Sequence, residues 1–404
     1  MNVTPSANPA VSVDDITAAR ALFAGRVAET PIMFADSLSR MTNREVWIKA
    51  ECLQRAGSFK VRGALNVLSH LPGADVVAAS AGNHAQGVAL AASWVGSRAT
   101  VFMPENAPLP KVDATRGYGA EVRLIGSNLA DAVEAAQAHA AETGAVFVHP
   151  YDDPRIVAGQ GTMGLEIAEQ LPEVGTVVIP TGGGGLLAGT AVAVHHHRPE
   201  AHLIGVEIDV AASYTASRQA GHPTRVEPGR TMADGVNVVV PSPFVFDLIE
   251  EHVADLLVVD DIQTSAALTV VLERAKLMVE PAGAVAVAAL LAGLVPGHAP
   301  DPLVVVLSGG NLDLLLLGKM VRHGLQTAGR YATFRVWVPD QPGQLARVLE
   351  EVASRGANVV HVEHHRQGVD LPFGVVEIDV SVETRNADHA EEIRTALGPY
   401  RPER

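Results

Sequence analysis

Short apolar, β-branched runs alternate with longer Ala-rich segments of helical period along most of the chain. Val46–Ala50, Asp75–Ser80, Thr100–Met103, Glu121–Ile125 and Val146–Val148 read as strands, with helices over Asn83–Val95, Leu109–Tyr118 and Leu129–Ala141 between them. A helix around Met163–Glu169 follows, then the strand Thr176–Pro180, a glycine run leading into an Ala-rich helix, and the strand Leu203–Glu207. Leu256–Val259, a long helix Gln263–Met278, an apolar helix within 282–297 and the strand Leu303–Leu307 complete the pattern. Such alternation predicts an α/β fold, a mainly parallel sheet with helices on both faces. VVAAS, TVVIP and LVVVLS are almost wholly apolar, as strands covered on both faces must be.

The period changes near residue 325. Residues 323–331 read as a linker between a domain over 1–322 and a second over 332–404. The second shows a strand Phe334–Val338, the turn PDQPG, a helix Gln344–Ser354, strands Val359–His365 and Val375–Val382, and a helix Ala387–Leu397. This β-α-β-β-α order is of ferredoxin-like type. A fourth strand would complete it, but only PYRPER remains, so that strand is expected to be short or missing.

Composition narrows the class. With 404 residues, 48% hydrophobic and 19% charged, the chain can bury sizeable cores. A net charge of −15 without a long basic run excludes nucleic acid and anionic membrane as expected partners. Cys52 is the single cysteine, so no disulfide forms within the chain, and a reducing, cytoplasmic setting is expected. The N-terminal MNVTPSANPAVSVDD lacks the basic and apolar regions of a signal peptide, and the apolar run at 282–297 is too short to span a bilayer.

Candidate chemistry gathers at predicted strand ends. SAGNHAQG (80–87) ends a strand and opens a helix, where small residues and free N–H groups suit a carboxylate; an ordinary capped turn explains it equally well. TGGGGLLAG (181–189) follows TVVIP. Four consecutive glycines cost chain entropy and suit a loop that wraps a phosphate. The same run satisfies a dinucleotide fingerprint, with Gly183, Gly185 and Ala188 as G-x-G-x-x-A and Glu207 about twenty residues on, leaving open a nucleotide-dependent oxidoreductase. SGGNLD (308–313) follows a third apolar strand, and ligands in open α/β sheets bind at carboxyl strand ends. EPAG (280–283) reads locally as a helix cap. His195–His197 end a helix and do not share a face, which argues for a solvated terminus and against a metal site. HExxH, CxxC and a Walker GK[ST] are absent from the sequence, so no metal is expected. Lys60, within AGSFKVRGA, would by itself be read as one more solvated lysine.

Lysine, SAGN turn, glycine loop and late serine, in that order, resemble the pyridoxal-phosphate enzymes of the tryptophan-synthase-β type (fold type II). GSFKVRGA, SAGNHAQG, AGQGTMGLEI, TGGGGL, ADG, EPAGA and SGGN resemble the threonine dehydratases (threonine ammonia-lyases), over about residues 15–320. PDQPGQLARVLEEVASRGANVVHVEHHR resembles an ACT domain, an amino-acid-sensing module. The resemblance implies two parallel-sheet subdomains with the active site between them, the smaller inserted at about 57–155. It implies pyridoxal 5'-phosphate as cofactor, with Lys60 bonded to its aldehyde, Phe59 near the ring and Asn83 on the ring 3'-oxygen. Gly182, Gly183, Gly184, Gly185 and Leu186 would hold the phosphate, and Ser308 the pyridine nitrogen. Ser80, Ala81, Gly82, Asn83 and His84 would surround the substrate carboxylate. The implied reaction is removal of water from L-threonine, with L-serine as second substrate, at the entry to isoleucine biosynthesis. Serine racemases resemble the family but place a serine where Ala81 stands. Some relatives bind a cation through an acidic residue at the position of Glu207 and another six residues on; here the second is Ser213. The ACT resemblance implies an isoleucine or valine effector near Asp340, Gly343, Gln344 and Leu345, and a homo-oligomer, dimer or tetramer.

Overall fold

The computed structural model describes residues 11–23, 25–366 and 371–400. The chain forms two compact units, Met1–Asp313 and Leu314–Arg404.

The first unit holds two sheets. Strands β1 (Ile32–Phe34), β2 (Val46–Lys49), β3 (Val76–Ala79), β4 (Ala99–Met103), β5 (Glu121–Leu124), β6 (Val146–Phe147), β7 (Thr176–Pro180), β8 (His202–Ile208), β9 (Asp255–Val259) and β10 (Leu303–Val306) follow in order. The larger sheet runs β1-β2-β10-β7-β8-β9 and is parallel apart from β1, which pairs antiparallel with β2. The smaller runs β5-β4-β3-β6, all parallel, and draws its strands from 76–147. Every residue of β3, β7 and β10 is buried, in keeping with their apolar sequences. The helix Pro281–Leu291, made of Ala, Val, Leu, Pro and Gly, is buried over nearly its whole length against the larger sheet. It stays within the fold, and no helix among the described residues is long and apolar enough to cross a membrane.

Several helices extend beyond their sequence signals, and one stops short. Pro154–Gln170 starts nine residues ahead of the expected helix, capped by Asp153 and led by Pro154 at its first position. Its glycines are contact points: a Cβ on Gly161 would stand 2.7 Å from the Gly189 carbonyl of the neighbouring helix Gly185–His197. Gln263–Met278 is α-helical only over Asp261–Val270. It widens to a π-turn at Val271–Ala275 and ends at Lys276, whose φ of 60° is left-handed.

One buried cluster ties four segments together. Arg62, in the helix Lys60–Ser69, donates to Glu51 at 2.7 and 2.8 Å and to Glu166 at 2.6 and 2.9 Å. Lys49, at the end of β2, donates to Glu166 at 2.6 Å and to the Thr30 carbonyl at 2.7 Å. Arg62, Lys49 and Glu51 are wholly inaccessible. Burial alone would depress the Arg62 guanidinium, but Glu51 and Glu166 hold it above its ordinary value. Burial likewise pushes Glu51 up, and Arg62 overrides it to keep the carboxyl below the usual range.

The second unit carries β11 (Tyr331–Pro339), β12 (Asn358–His365) and β13 (Val375–Glu383), paired antiparallel in the order β11-β13-β12. Helices Gln344–Ser354 and Ala387–Ala396 pack on its buried Val and Ile side chains. No fourth strand follows among the described residues. The segment read as a linker is instead largely structured. A helix spans Leu314–Thr327, and the division between units falls at Asp313, ahead of the expected boundary at 322.

Removing one member of a buried charge cluster strands its partners. Arg62→Leu should cost on the order of 3–5 kcal/mol in urea unfolding of the apoprotein. Arg62→Lys, which keeps the charge but not the fork, should lose less.

Candidate active site

A cavity of about 510 Å³ opens at the carboxyl ends of β3, β7 and β10, lined by residues from both sheets of the first unit. Phe59, Lys60, Ser80 through His84, Gly182 through Leu186 and Ser308 all line it. Every cofactor and substrate position expected from the sequence thus faces one space.

The wall carrying Lys60 is zipped to the end of β10. The Phe59 N–H donates to the Ser308 carbonyl at 3.2 Å and the Gly310 N–H to the Gly57 carbonyl at 2.8 Å, around a bridge between Ser58 and Gly309. Lys60 opens its helix, and its Nζ donates to the Pro150 carbonyl at 3.1 Å. Burial pulls the Lys60 amine down to about 8, and Glu280 resists only in part. That makes Lys60 the kind of amine able to act as nucleophile and base near neutral pH.

Asn83 starts the helix Asn83–Val95, whose N-cap Gly82 offers no side chain to the free N–H groups of the first turn. Its amide is gripped on both sides. It donates through Nδ2 to Glu280, and its Oδ1 accepts from Asn311 Nδ2 at 2.7 Å. Asn311 also donates to the Ala56 carbonyl at 2.8 Å. Glu280 is therefore more than the local cap its sequence suggested. Burial pushes its carboxyl up to about 7, against the Asn83 hydrogen bond. Gly309 permits this contact, because a Cβ there would stand 2.9 Å from Asn83 Nδ2 and still closer to Glu280. His84 Nε2 donates to the Val148 carbonyl at 2.8 Å, and burial drops its pKa to about 3, so the ring stays neutral. Ser80 Oγ accepts from the Gly82 N–H at 3.1 Å. Lys111 and Asp234, 2.9 Å apart, join opposite walls.

The glycine loop turns at Gly184, with φ of 78°. A Cβ at Gly182 would meet Val236 at 2.9 Å, and one at Gly183 would enter the Tyr151 ring. Tyr214 Oη donates to the Gly183 carbonyl at 3.0 Å. Glu207, the acidic residue of the dinucleotide fingerprint, accepts from Tyr214 N at 2.7 Å, Thr215 N at 2.8 Å and Thr215 Oγ1 at 2.6 Å. That carboxylate is committed to a helix start and does not face a ribose, which removes the basis of the oxidoreductase reading. Of the three histidines at 195–197, His196 and His197 are exposed, and His195 Nε2 meets the Ala201 carbonyl at 2.9 Å. Sequence reasoning gave no role to Asn311, Tyr151, Lys111 or Asp234, although Asn311 and Asp234 lie within the SGGN and ADG motifs that carry the resemblance.

In the second unit, Gly343 (φ 89°) is the N-cap of the helix Gln344–Ser354 and provides no side-chain cap. Gly343 and Asp340 are exposed, Gln344 and Leu345 half-buried, and the Asp340 N–H donates to the Gly374 carbonyl at 2.8 Å.

A model of the pyridoxal-phosphate dependent enzymes matches residues 24–309, and an ACT domain model matches 332–398. The chain is 43% identical over 392 residues to an L-threonine ammonia-lyase of Thermotoga maritima, covering 96% of this chain and 97% of the relative. The solved structure of the processed form of threonine deaminase isoform 2 from Solanum lycopersicum superposes with a TM-score of 0.72 at 34% identity, covering 80% of this chain and 93% of that one. Maize serine racemase superposes with a TM-score of 0.74 at 33% identity, covering 79% and 99%. The chain belongs to the pyridoxal-phosphate-dependent enzymes. Within them it falls in the threonine ammonia-lyase family, with an ACT domain following the catalytic unit along the chain.

Pyridoxal phosphate fits the residues present: a desolvated amine, a side-chain-free loop at a helix N-terminus, and a neutral serine share one cavity. Capture of the cofactor by the apoprotein should accelerate as pH rises, with half its plateau rate near pH 8, the point at which Lys60 loses its proton. Stopped-flow absorbance reads this directly. A half-rise near 10.5 would mean that Lys60 is an ordinary lysine.

Proposed function

We propose that this chain is an L-threonine ammonia-lyase, converting L-threonine to 2-oxobutanoate and ammonia and L-serine to pyruvate and ammonia. The observation that carries the reading is the convergence of Lys60, the uncapped Gly82–His84 turn, the glycine loop and Ser308 on one cavity. Bound pyridoxal phosphate supplies an electron sink that makes the Cα proton of an amino acid removable. Lys60 Nζ would hold the cofactor and, as a desolvated amine in the same cavity, would take that proton. The N–H groups that open the helix Asn83–Val95, with Ser80, hold the substrate carboxylate. Asn83, fixed by Glu280 and Asn311, would offer its amide to the ring oxygen. Ser308 is uncharged, so beside the ring nitrogen it would supply a neutral hydrogen-bond partner and not a counter-charge, which would favour loss of the β-hydroxyl over a long-lived carbanion. Ala81 carries no proton donor for the opposite face of Cα, which favours elimination over racemisation, the activity named for the maize relative.

The purified protein should release 2-oxobutanoate from L-threonine, detected by coupled reduction of the 2-oxo acid. Lys60→Ala should lower kcat at least about a thousandfold while leaving the fold intact. Accumulation of D-threonine or D-serine without 2-oxo acid would point to racemisation instead.

We further propose that the ACT unit binds isoleucine as inhibitor, with valine as antagonist, near Asp340, Gly343, Gln344 and Leu345, between two paired copies of the chain. The exposed, uncapped start of the helix Gln344–Ser354 supports this, since it can take an amino-acid carboxylate. Isoleucine should depress initial rates of the full chain and leave those of a chain ending at Asp313 unchanged. An isoleucine response that survives the truncation would place the effector site in the first unit.

A further inference from the structure

Gln160 has no role in the site as described, and its position calls for one. It lies in the helix Pro154–Gln170, is 1% exposed, and lines the cavity. Neither Nε2 nor Oε1 has a hydrogen-bond partner among the described residues. Its path is fixed at both ends. A Cβ on Gly63 would stand 3.3 Å from Gln160 Cγ, and one on Gly185 would stand 2.7 Å from Oε1. The stem therefore passes over the helix of Lys60, and the amide head arrives beside Gly185.

Gly185 is the first residue of the helix Gly185–His197, whose N-cap offers no side-chain acceptor. The N–H groups of this turn and the positive end of the helix favour an anion. A buried amide with no partner is unfavourable, because it has left water without replacing the lost hydrogen bonds. Here the orphaned amide and the anion-attracting turn stand side by side in one cavity. The two ends of a glutamine amide exchange by a half-turn, so Nε2 reaches wherever Oε1 now lies.

We propose that Gln160 is a side-chain ligand of the cofactor phosphate, donating Nε2–H to a phosphate oxygen beside Gly185. The inference rests on the pyridoxal-phosphate reading of this cavity. Backbone N–H groups of 182–186 cradle the phosphate from the larger sheet, and Gln160 reaches it from a different helix. The phosphate then bonds two elements that would otherwise meet only by packing.

The test compares pyridoxal 5'-phosphate with pyridoxal, which keeps the ring and aldehyde and lacks the phosphate. Each is titrated into the apoprotein by absorbance, for the wild type, Gln160→Met and Gln160→Glu. A hydrogen bond to a charged oxygen predicts about a tenfold or greater rise in Kd for pyridoxal phosphate in Gln160→Met, with pyridoxal unchanged. Gln160→Glu, which sets a negative charge against the phosphate, should lose more, again for pyridoxal phosphate only. Equal losses for both ligands, or no loss for either, would overturn the proposal. Gln160→Glu has nearly the shape of the native residue and keeps the test open if Gln160→Met does not fold. A wild-type protein that binds neither ligand would instead overturn the reading of the cavity.

Discussion

The buried cluster of Arg62, Glu51, Glu166 and Lys49 is the constraint on which the site depends. Arg62 lies two residues beyond Lys60 on the same helix, so whatever fixes one fixes the other. Glu166 lies on the helix that carries Gln160, six residues along. The Arg62 guanidinium thus holds the Lys60 helix and the Pro154–Gln170 helix in a fixed relation, and the Lys49 ammonium ties the same Glu166 to β2. Two cations face two carboxylates, so the cluster is neutral as a whole, and a fork of five donors suits two carboxylates as a point charge does not. Such a cluster contributes less to stability than its geometry suggests, since desolvation offsets much of the attraction. What it supplies is register, because sliding one helix past the other would separate Arg62 from Glu166 and leave buried charges unpaired.

Within that frame the polar chemistry is set by a second chain, Asn311 to Asn83 to Glu280. Glu280 does not touch Lys60, but its field reaches it. Lys60 near 8 and Glu280 near 7 pull against each other. An ionised Glu280 favours the ammonium form, and a protonated one leaves burial to act alone on the amine. The free base therefore depends on a carboxylate that itself titrates close to neutrality. Asn83 and this carboxylate line the same cavity and are hydrogen-bonded, so the orientation of Asn83 and the basicity of Lys60 share one neighbour.

How much of this the sequence revealed depends on where each signal lay. Thr176–Pro180, Asn83–Val95 and Gln344–Ser354 were legible to the residue, since apolar runs, a small-residue turn and a 3.6 period are local properties. The helix Lys60–Ser69 was not. Its arginine and asparagine look solvent-facing until Glu51, Glu166 and the Arg155 carbonyl are brought to them by the fold. The glycines of AGQGTMG lie ahead of or at the start of the helix expected from Met163, yet in the structure they let two helices meet backbone to backbone. The π-turn after Val270 has no sequence mark at all. Within the site, the strand-end motifs at 80–87, 181–189 and 308–313 meet at one cavity, because a parallel sheet directs its carboxyl ends to one crevice, whereas Lys60 was singled out only by the family resemblance. Glu280 and Asn311 escaped because each looks like a local cap or turn, and only the Asn83 amide, brought between them by the fold, joins them.

Glu207 shows how packing decides between two readings of one motif. Spaced about twenty residues after a glycine run, it satisfies the dinucleotide fingerprint as well as a loop for any other phosphate. The structure commits both of its oxygens to Tyr214 and Thr215 at the start of the helix Ser213–Ala220. Tyr214 then reaches back with its hydroxyl to the Gly183 carbonyl. A peptide whose carbonyl is tied to that side presents its other face, with the N–H groups that follow, to the cavity. The carboxylate that would have held a ribose instead holds, through one tyrosine, the glycine loop proposed above as the phosphate cradle.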